Sequence, residues 1–586
     1  MEDKMKKQIV KRILAAALAG VMLAGLAACG SGAESGNNTE NSAVQKEDAD
    51  AADENNTADA GDTKAEDVTV EWFSSVTGWG PSGWTSGVAS SPLMDAIKEK
   101  TGVTLNIEQP PTDADTKLGL MIASGDLPDL ISLTNGDTIA QLIESGKVWE
   151  MEEFLQTYAP DSHLLTEFPQ DIKDAVVYKF GGWYSLPSHL ESSDLREKYT
   201  ITEQAYIDNV TKGHNSAIMF NQAIMDELGI TREDVQTEAG FYEACEKVKN
   251  SGCTVDGQPV LTVVLHANLW LDQSLDGIIR ETFGVVPVDN EGNYRHIEMN
   301  PGYKCALKFV NNLIKNEYLD VNVLTLDEAA LKTYVEGKRV FCWIGNPAQS
   351  AEKHTVPLVS FGPILADNGA RPVAPINLSA GSGWIQTFIS KDCGAPEQIA
   401  QMLTFATSQE GLALNEYGVE GVDYTFDEKG VATRTEEGQK RYEEDYAKNI
   451  ALWPFANTDY AWSTQKGPEE GTDAASFNQI CTAIGKWEDT YIYNSDLISF
   501  TSGNVIEPSS DLGIKLSQVK NYLESQKAKI VSTSDDASFE AEYQNMIDTL
   551  KSYGIEEIDA EYDKYLKENC ERLGQSIENV NAELYQ

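Results

Sequence analysis

Between Val68 and Leu133 the hydrophobic pattern switches back and forth between a period of two and a period of three to four, and this limits the fold more than any other feature of the 586-residue chain. Val68, Val70 and Trp72 alternate with Thr69, Glu71 and Phe73, the pattern of a strand with one face toward a core. Ser91-Pro92 then opens a helix, with Ser91 suited to the N-cap and Pro92 to the first helical position, and Leu93, Ala96 and Ile97 lie along one side. Gly102 stops that helix because glycine takes the left-handed conformation at low cost, and Val103, Leu105 and Ile107 alternate again as a second strand. A helix carrying Leu118, Met121 and Ile122 ends at Gly125, a turn at 126–129 leads into the buried strand 130–133, and a third helix is predicted over about 137–145. Strands alternating with helices predict an α/β fold with a parallel sheet.

In open sheets of this kind ligands sit beyond the carboxyl ends of the strands, where helix N-termini also point. Two loops fall there. The first, from Ser75 to Ser90, carries Trp79 and Trp84 on a glycine-rich backbone; the second offers Asn135 and Asp137. Two tryptophans in a Gly/Ser loop are costly to leave in water, so Trp79 and Trp84 are candidates for stacking on a ligand. The competing reading is a small core tucked beneath the loop.

Composition closes off other classes. With 45 Lys+Arg against 93 Asp+Glu the net charge is −48, which excludes a polybasic nucleic-acid binder, and a 41% hydrophobic content is enough for large cores. The length allows two to four domains. Eight cysteines without C-x-x-C and six scattered histidines without H-E-x-x-H give no zinc or redox signature, and no metal or cofactor is expected. Asp289-Asn290-Glu291-Gly292-Asn293 lacks the twelve-residue spread of an EF-hand and reads as a hairpin turn between Val288 and Tyr294.

The N-terminus has the form of an export signal. Lys4, Lys6, Lys7, Lys11 and Arg12 precede an apolar run from Ile13 to Ala28, whose sixteen residues fall short of the roughly 20 that cross a bilayer. Leu26-Ala27-Ala28-Cys29 resembles a bacterial lipobox, which implies a signal peptide at 1–28, cleavage before Cys29 and lipidation of that cysteine. The chain would then be anchored on the extracellular face of the cell membrane. Residues 29–66 contain no aromatic residue and are rich in acids, the composition of a disordered tether. The seven remaining cysteines form an odd set and are read mostly as buried thiols.

Further along, DLPDLISLTNGDTIAQLIESGKVWEMEEFLQTYAP (126–160), Ala217-Ile-Met-Phe-Asn221 with Met225 to Ile230, the stretch 283–320, Glu336 to Gly345 and Gly383 to Tyr424 together resemble the family 1 extracellular solute-binding lipoproteins of Gram-positive ABC importers, in the oligosaccharide and aldouronate branch. The resemblance runs from 67 to about 425. It implies a two-lobed α/β protein of the periplasmic-binding-protein type II fold with hinge crossovers. The first lobe would comprise 67–215 plus 373–425, and the second 216–372 plus 426–586. It also implies a monomer without catalytic residues that captures an oligosaccharide in an interlobe cleft and delivers it to membrane permease subunits. Closure of such a cleft expels water and strengthens each polar contact inside it.

Sugars present apolar C–H faces and hydroxyl rims, so aromatic platforms flanked by Asp, Asn and Glu suit them. The positions favoured are Trp79, Trp84, Asn135, Trp270, Asp272, Trp343, Trp384, Glu420 and Trp462, each set against core packing for the tryptophans or helix capping for the polar residues. The acidic balance disfavours a uronate unless Arg196, Arg280 or Arg371 lines the pocket, which points to a neutral oligosaccharide. The rival classes are an extracellular carbohydrate-active hydrolase, which needs only two suitably spaced carboxylates, and a peptide-binding lipoprotein.

Overall fold

The computed structural model describes residues 67–585 apart from 78, 80–84, 89, 267–272, 327, 350–357, 382, 450–451 and 503–504. The first sheet is built as the alternation predicts. Strands β1 (Val68–Ser74), β2 (Ser86–Val88), β3 (Val103–Glu108), β4 (Leu130–Leu133) and β5 (Leu186–Pro187) lie in it, and β1 pairs in parallel with both β3 and β4, so that Trp72 stands opposite Ile107 on one side and Leu130 on the other. Helix α1 (Pro92–Thr101) is capped as its sequence indicates: the Ser91 hydroxyl accepts from Met94 N, and Gly102 closes the helix at φ 73°. Helices α2 (Gly136–Glu144) and α3 (Gln170–Phe180) complete this part, α3 sending Ile172, Val176 and Phe180 into the core.

A second sheet begins with β6 (Ala217–Asn221) and continues with β7 (Leu261–Leu265), β8 (Val340–Gly345) and β9 (Leu358–Val359) in the order β9-β6-β8-β7. All six residues of β8 are buried, as expected of a strand covered on both faces. Strand β10 (Val373–Ile376) pairs in parallel with the late strand β12 (Tyr491–Asn494), whereas β11 (Gln386–Ile389) enters the first sheet antiparallel to β4 and β5. The first sheet is therefore mixed, with the order β2-β3-β1-β4-β11-β5, and not wholly parallel as the local pattern suggested. The reason is topological: β11 comes back from the other lobe instead of through a β-α-β crossover, and the short β2 lies antiparallel to β3 at the sheet edge.

Two separate hydrophobic cores define two lobes. One draws on residues between Val70 and Leu195, between Ala380 and Ala406, and on Leu452 and Phe455; the other on residues between Ala217 and Ile376 and between Ile480 and Ile577. These cores move the lobe boundaries set from the sequence. Val373, Ala374 and Ile376 belong to the second core because β10 pairs with β12. The segment after 426 stays with the first lobe as far as Tyr460, which packs in a small cluster with Leu412, Tyr417 and Tyr424.

Three long helices, α4 (Asp511–Val531), α5 (Asp536–Ser552) and α6 (Ile555–Leu573), finish the second lobe. They are part of its core through Val519, Leu523, Phe539, Met546, Ile558 and Leu566. Lys527 of α4 is almost fully buried, and its ammonium bridges Asp276 Oδ2 at 2.6 Å and Glu298 Oε1 at 2.8 Å. Tyr303 donates its hydroxyl to the other oxygen of Asp276, so the buried charges are paired and hydrogen-bonded.

Candidate functional site

The crossings between the lobes converge on one junction. Leu190, just past β5, accepts backbone hydrogen bonds from Thr458 N (3.0 Å) and Asp459 N (3.2 Å), and Gly381 N donates to Glu191 O at 3.2 Å. Asp459 is fully buried, accepts from Ser192 N at 2.7 Å and pairs with Arg196, whose other nitrogen donates to Ser379 O at 3.4 Å. Asp496, just past β12, accepts from Ser379 N at 3.1 Å. Residues near 190, 380, 458 and 496 are thus tied together by groups that water would otherwise occupy.

Beside this junction stands an aromatic group. Trp384 leads into β11 and is 52% exposed, while Trp453 and His189 pack against it with ring centroids 6.0 and 5.9 Å away. Gly383 makes this placement possible: its φ is 75°, and a Cβ there would meet Pro187 Cβ at 2.5 Å and Ser188 O at 2.6 Å. His189 also has positive φ, 51°, and its Nδ1 lies 2.9 Å from Ser188 Oγ.

Burial pushes the His189 pKa down to about 4, so the imidazole is neutral at ordinary pH. The Ser188 hydroxyl oxygen accepts from Ile385 N and its hydroxyl is hydrogen-bonded to His189 Nδ1, which fixes the position of the ring. Two carboxyls nearby are shifted the other way. Burial, reinforced by the charge of Asp459, raises Glu191 to about 7 against the opposing pull of Arg196. Burial raises Asp496 to about 6, opposed by the hydrogen bond from Ser379 N and by Arg572. The junction therefore offers a half-exposed indole face, a neutral imidazole and carboxyls that titrate near neutrality, a set matched to a ligand with both apolar and hydroxyl surfaces.

The positions favoured from sequence separate into three groups. Trp384 lies on the surface at a lobe crossing, with one face open. Trp79 and Trp343 are each 1% exposed, Trp79 against Trp72 at 5.3 Å in the first core and Trp343 within β8 in the second. Their large apolar rings complete the cores and present no open face. Asn135 caps α2 by accepting from Thr138 N and donates to Asp115, so both ends of its amide are engaged. Glu420 lies exposed in the turn before Tyr424, and Trp462 stacks on Tyr206 with centroids 5.7 Å apart and rings 8° from parallel. Trp84, Trp270 and Asp272 lie outside the described residues.

The three arginines considered for an acidic ligand are all engaged by the protein: Arg196 by Asp459, Arg280 by Asp276 O and Val285 O, and Arg371 by Asp489 O. The 289–293 segment forms the predicted turn, with Val288 and Tyr294 bridged antiparallel and the Asp289 carboxylate accepting from Glu291 N and Asn293 N. Sequence reasoning missed His189 and Glu191 altogether. Trp453 carried a signal only as part of the aromatic stretch 453–462, which matched no recognised motif.

Two α/β lobes with separate cores, joined by several crossings with an exposed aromatic at their junction, define the class of two-lobed solute-binding proteins. The chain belongs to the bacterial extracellular solute-binding protein family, which it matches over residues 92–415. The family is described as one of extracellular solute-binding proteins. Among solved structures the chain resembles the Streptococcus pneumoniae ABC-transporter substrate binding protein FusA in complex with kestose, at 14% identity and a TM-score of 0.63 over 86% of this chain and 100% of that one. It also resembles the HMO-binding ABC-transporter-associated solute binding protein of Bifidobacterium longum infantis, at 15% identity and a TM-score of 0.55 over 86% and 99%. No curated protein matches the chain in sequence.

Proposed function

We propose that the protein is the extracytoplasmic substrate-binding lipoprotein of an ABC importer, and that it captures a neutral oligosaccharide between its lobes and passes it unaltered to membrane permease subunits. The observation that carries this reading is Trp384, the one tryptophan among the described residues that is a large exposed apolar side chain, set at a lobe crossing and flanked by Trp453 and the neutral His189. A sugar ring stacks on the indole and its hydroxyls meet the imidazole and the junction carboxyls. Engagement of Arg196, Arg280 and Arg371 by protein groups supports a neutral sugar over a uronate. FusA was solved with kestose and the Bifidobacterium protein is described as HMO-binding, which supports a saccharide ligand.

Membrane attachment rests on the lipobox-like Leu26 to Cys29, which lies outside the described residues. Among the described residues no helix is long and apolar enough to cross a membrane. The acidic stretch 29–66, expected from its composition to be a tether, also lies outside the described residues.

The test is a thermal-shift and turnover screen against gluco-, galacto-, manno- and fructo-oligosaccharides, kestose among them. A ligand at 100 times its Kd stabilises by about 2.7 kcal/mol, which is readily seen. Stabilisation by at least one neutral saccharide without release of shorter products is expected. Cleavage products would make the protein a hydrolase, and stabilisation by peptides alone would end the saccharide reading.

A further inference from the structure

The C-terminal helices do more than complete the second core, because they reach the opposite lobe. Helix α3 belongs to the first lobe through Ile172, Val176 and Phe180, yet its Tyr178 packs against the second core. The Tyr178 hydroxyl donates to Tyr565 O at 3.1 Å, and the two rings meet edge to face at 6.3 Å. The Arg572 guanidinium lies 5.4 Å from the centre of the Tyr178 ring. Tyr565 and Arg572 are seven residues apart, two turns of one helix, so a single face of α6 holds both sides of the contact. Lys179, next in sequence, has its pKa lowered to about 8 by burial, with Asp496 of the second lobe opposing the shift.

A second contact lies at the start of α2, where Asp137 pairs with Lys520 of α4 at 3.3 Å. Asp137 also adds to the upward shift of the buried Tyr562 phenol of α6. Apart from Asp496, every second-lobe residue in these two contacts comes from α4 or α6.

We propose that α4 and α6 form a latch: Tyr178 seated on Tyr565 and Arg572, with Asp137 on Lys520, holds the lobes together and is a determinant of closure that touches no ligand. This rests on the saccharide-binding reading only where affinity is the readout. Tyr178 carries most of the effect, since Asp137 and Lys520 are both well exposed and such pairs contribute little. A closing contact adds to the affinity for every ligand by the same factor, because apparent affinity is scaled by the fraction of molecules in the binding-competent state. A contact made to the ligand would instead discriminate among ligands.

The test uses the full chain as wild type, Tyr178→Ala, Tyr178→Phe and Lys520→Ala, with circular dichroism to confirm folding. Small-angle scattering without ligand is expected to give a larger radius of gyration for Tyr178→Ala, a smaller increase for Tyr178→Phe and the smallest for Lys520→Ala. Loss of the hydrogen bond and the cation–π contact weakens closure by roughly tenfold, so calorimetric Kd values for kestose and for the tightest-binding other saccharide rise by up to about tenfold and by equal factors. Should Tyr178→Ala not fold, Tyr178→Phe keeps the ring and loses only the donated hydrogen bond, with about a threefold effect expected. An unchanged radius of gyration in both Tyr178 variants overturns the latch even if saccharides bind. Unequal losses for the two sugars make Tyr178 a ligand contact and overturn it as well. If no saccharide binds, the saccharide reading falls, and the scattering series still decides the latch.

Discussion

Replacing Trp384 and Trp343 by alanine, one at a time, separates a ligand platform from a core residue. Trp384 is 52% exposed and Trp343 1% exposed. A tryptophan side chain offers up to about 250 Å², so about 130 Å² of Trp384 faces solvent, and a sugar stacked on one side covers about half of that. At about 25 cal/mol per Å² the lost contact is about 1.6 kcal/mol, which is roughly a fifteenfold weaker Kd. The covered half, about 120 Å² packed in part against His189 and Trp453, is lost from the fold as well, up to about 3 kcal/mol by the same coefficient. Trp343→Ala, by contrast, opens a cavity in the second core and costs about 3–5 kcal/mol of stability, while the molecules that remain folded keep an intact Trp384. Denaturant unfolding and isothermal titration calorimetry on both variants read the two quantities separately. A Trp384→Ala protein that binds as tightly as wild type, or that loses as much stability as Trp343→Ala, would refute the assignment of the platform.

Two further outcomes concern the junction. Glu191 has its folded pKa raised to about 7 from an ordinary 4.5, so the native state holds more protons than the unfolded chain between those values, and this residue's contribution to stability falls as pH rises through that window. Glu191→Gln should therefore gain on wild type by about 1–3 kcal/mol between pH 4.5 and 7 and level off above; a difference that is flat or runs the other way in urea unfolding would show that Glu191 is not held protonated. Gly383→Ala forces a side chain into positive φ and against Pro187 and Ser188 O, so a loss of about 2 kcal/mol or more is expected together with weaker saccharide binding through the displaced Trp384. Wild-type unfolding and affinity in that variant would count against the close approach.

The local chemistry of helix ends and tight turns could be read directly from the chain in both lobes. Ser91, Pro92 and Gly102 bound α1 because capping depends on residues within one turn of the helix end, and the turn at 289–293 depends on Asp289 and its nearest neighbours. The site was less legible because it is assembled from distant segments. Whether a tryptophan serves a core or a ligand is decided by what covers it, and Trp79 is covered by Trp72 while Trp384 is left half open, a difference that no neighbouring residue encodes. His189 gave no signal for the same reason: its neutral state follows from burial under segments nearly 200 and more residues away, around Trp384 and Trp453. The lobe boundary near 460 was missed because the hold of Thr458 and Asp459 on Leu190 is a backbone contact without a composition.

The ammonium of Lys527 joins carboxylates at 276 and 298 across more than 200 intervening positions. One half of the molecule therefore lacks the ammonium that pairs Asp276 with Glu298 until residues beyond 511 have been made. A version ending before Asp511 would fail to mature rather than yield a smaller working protein.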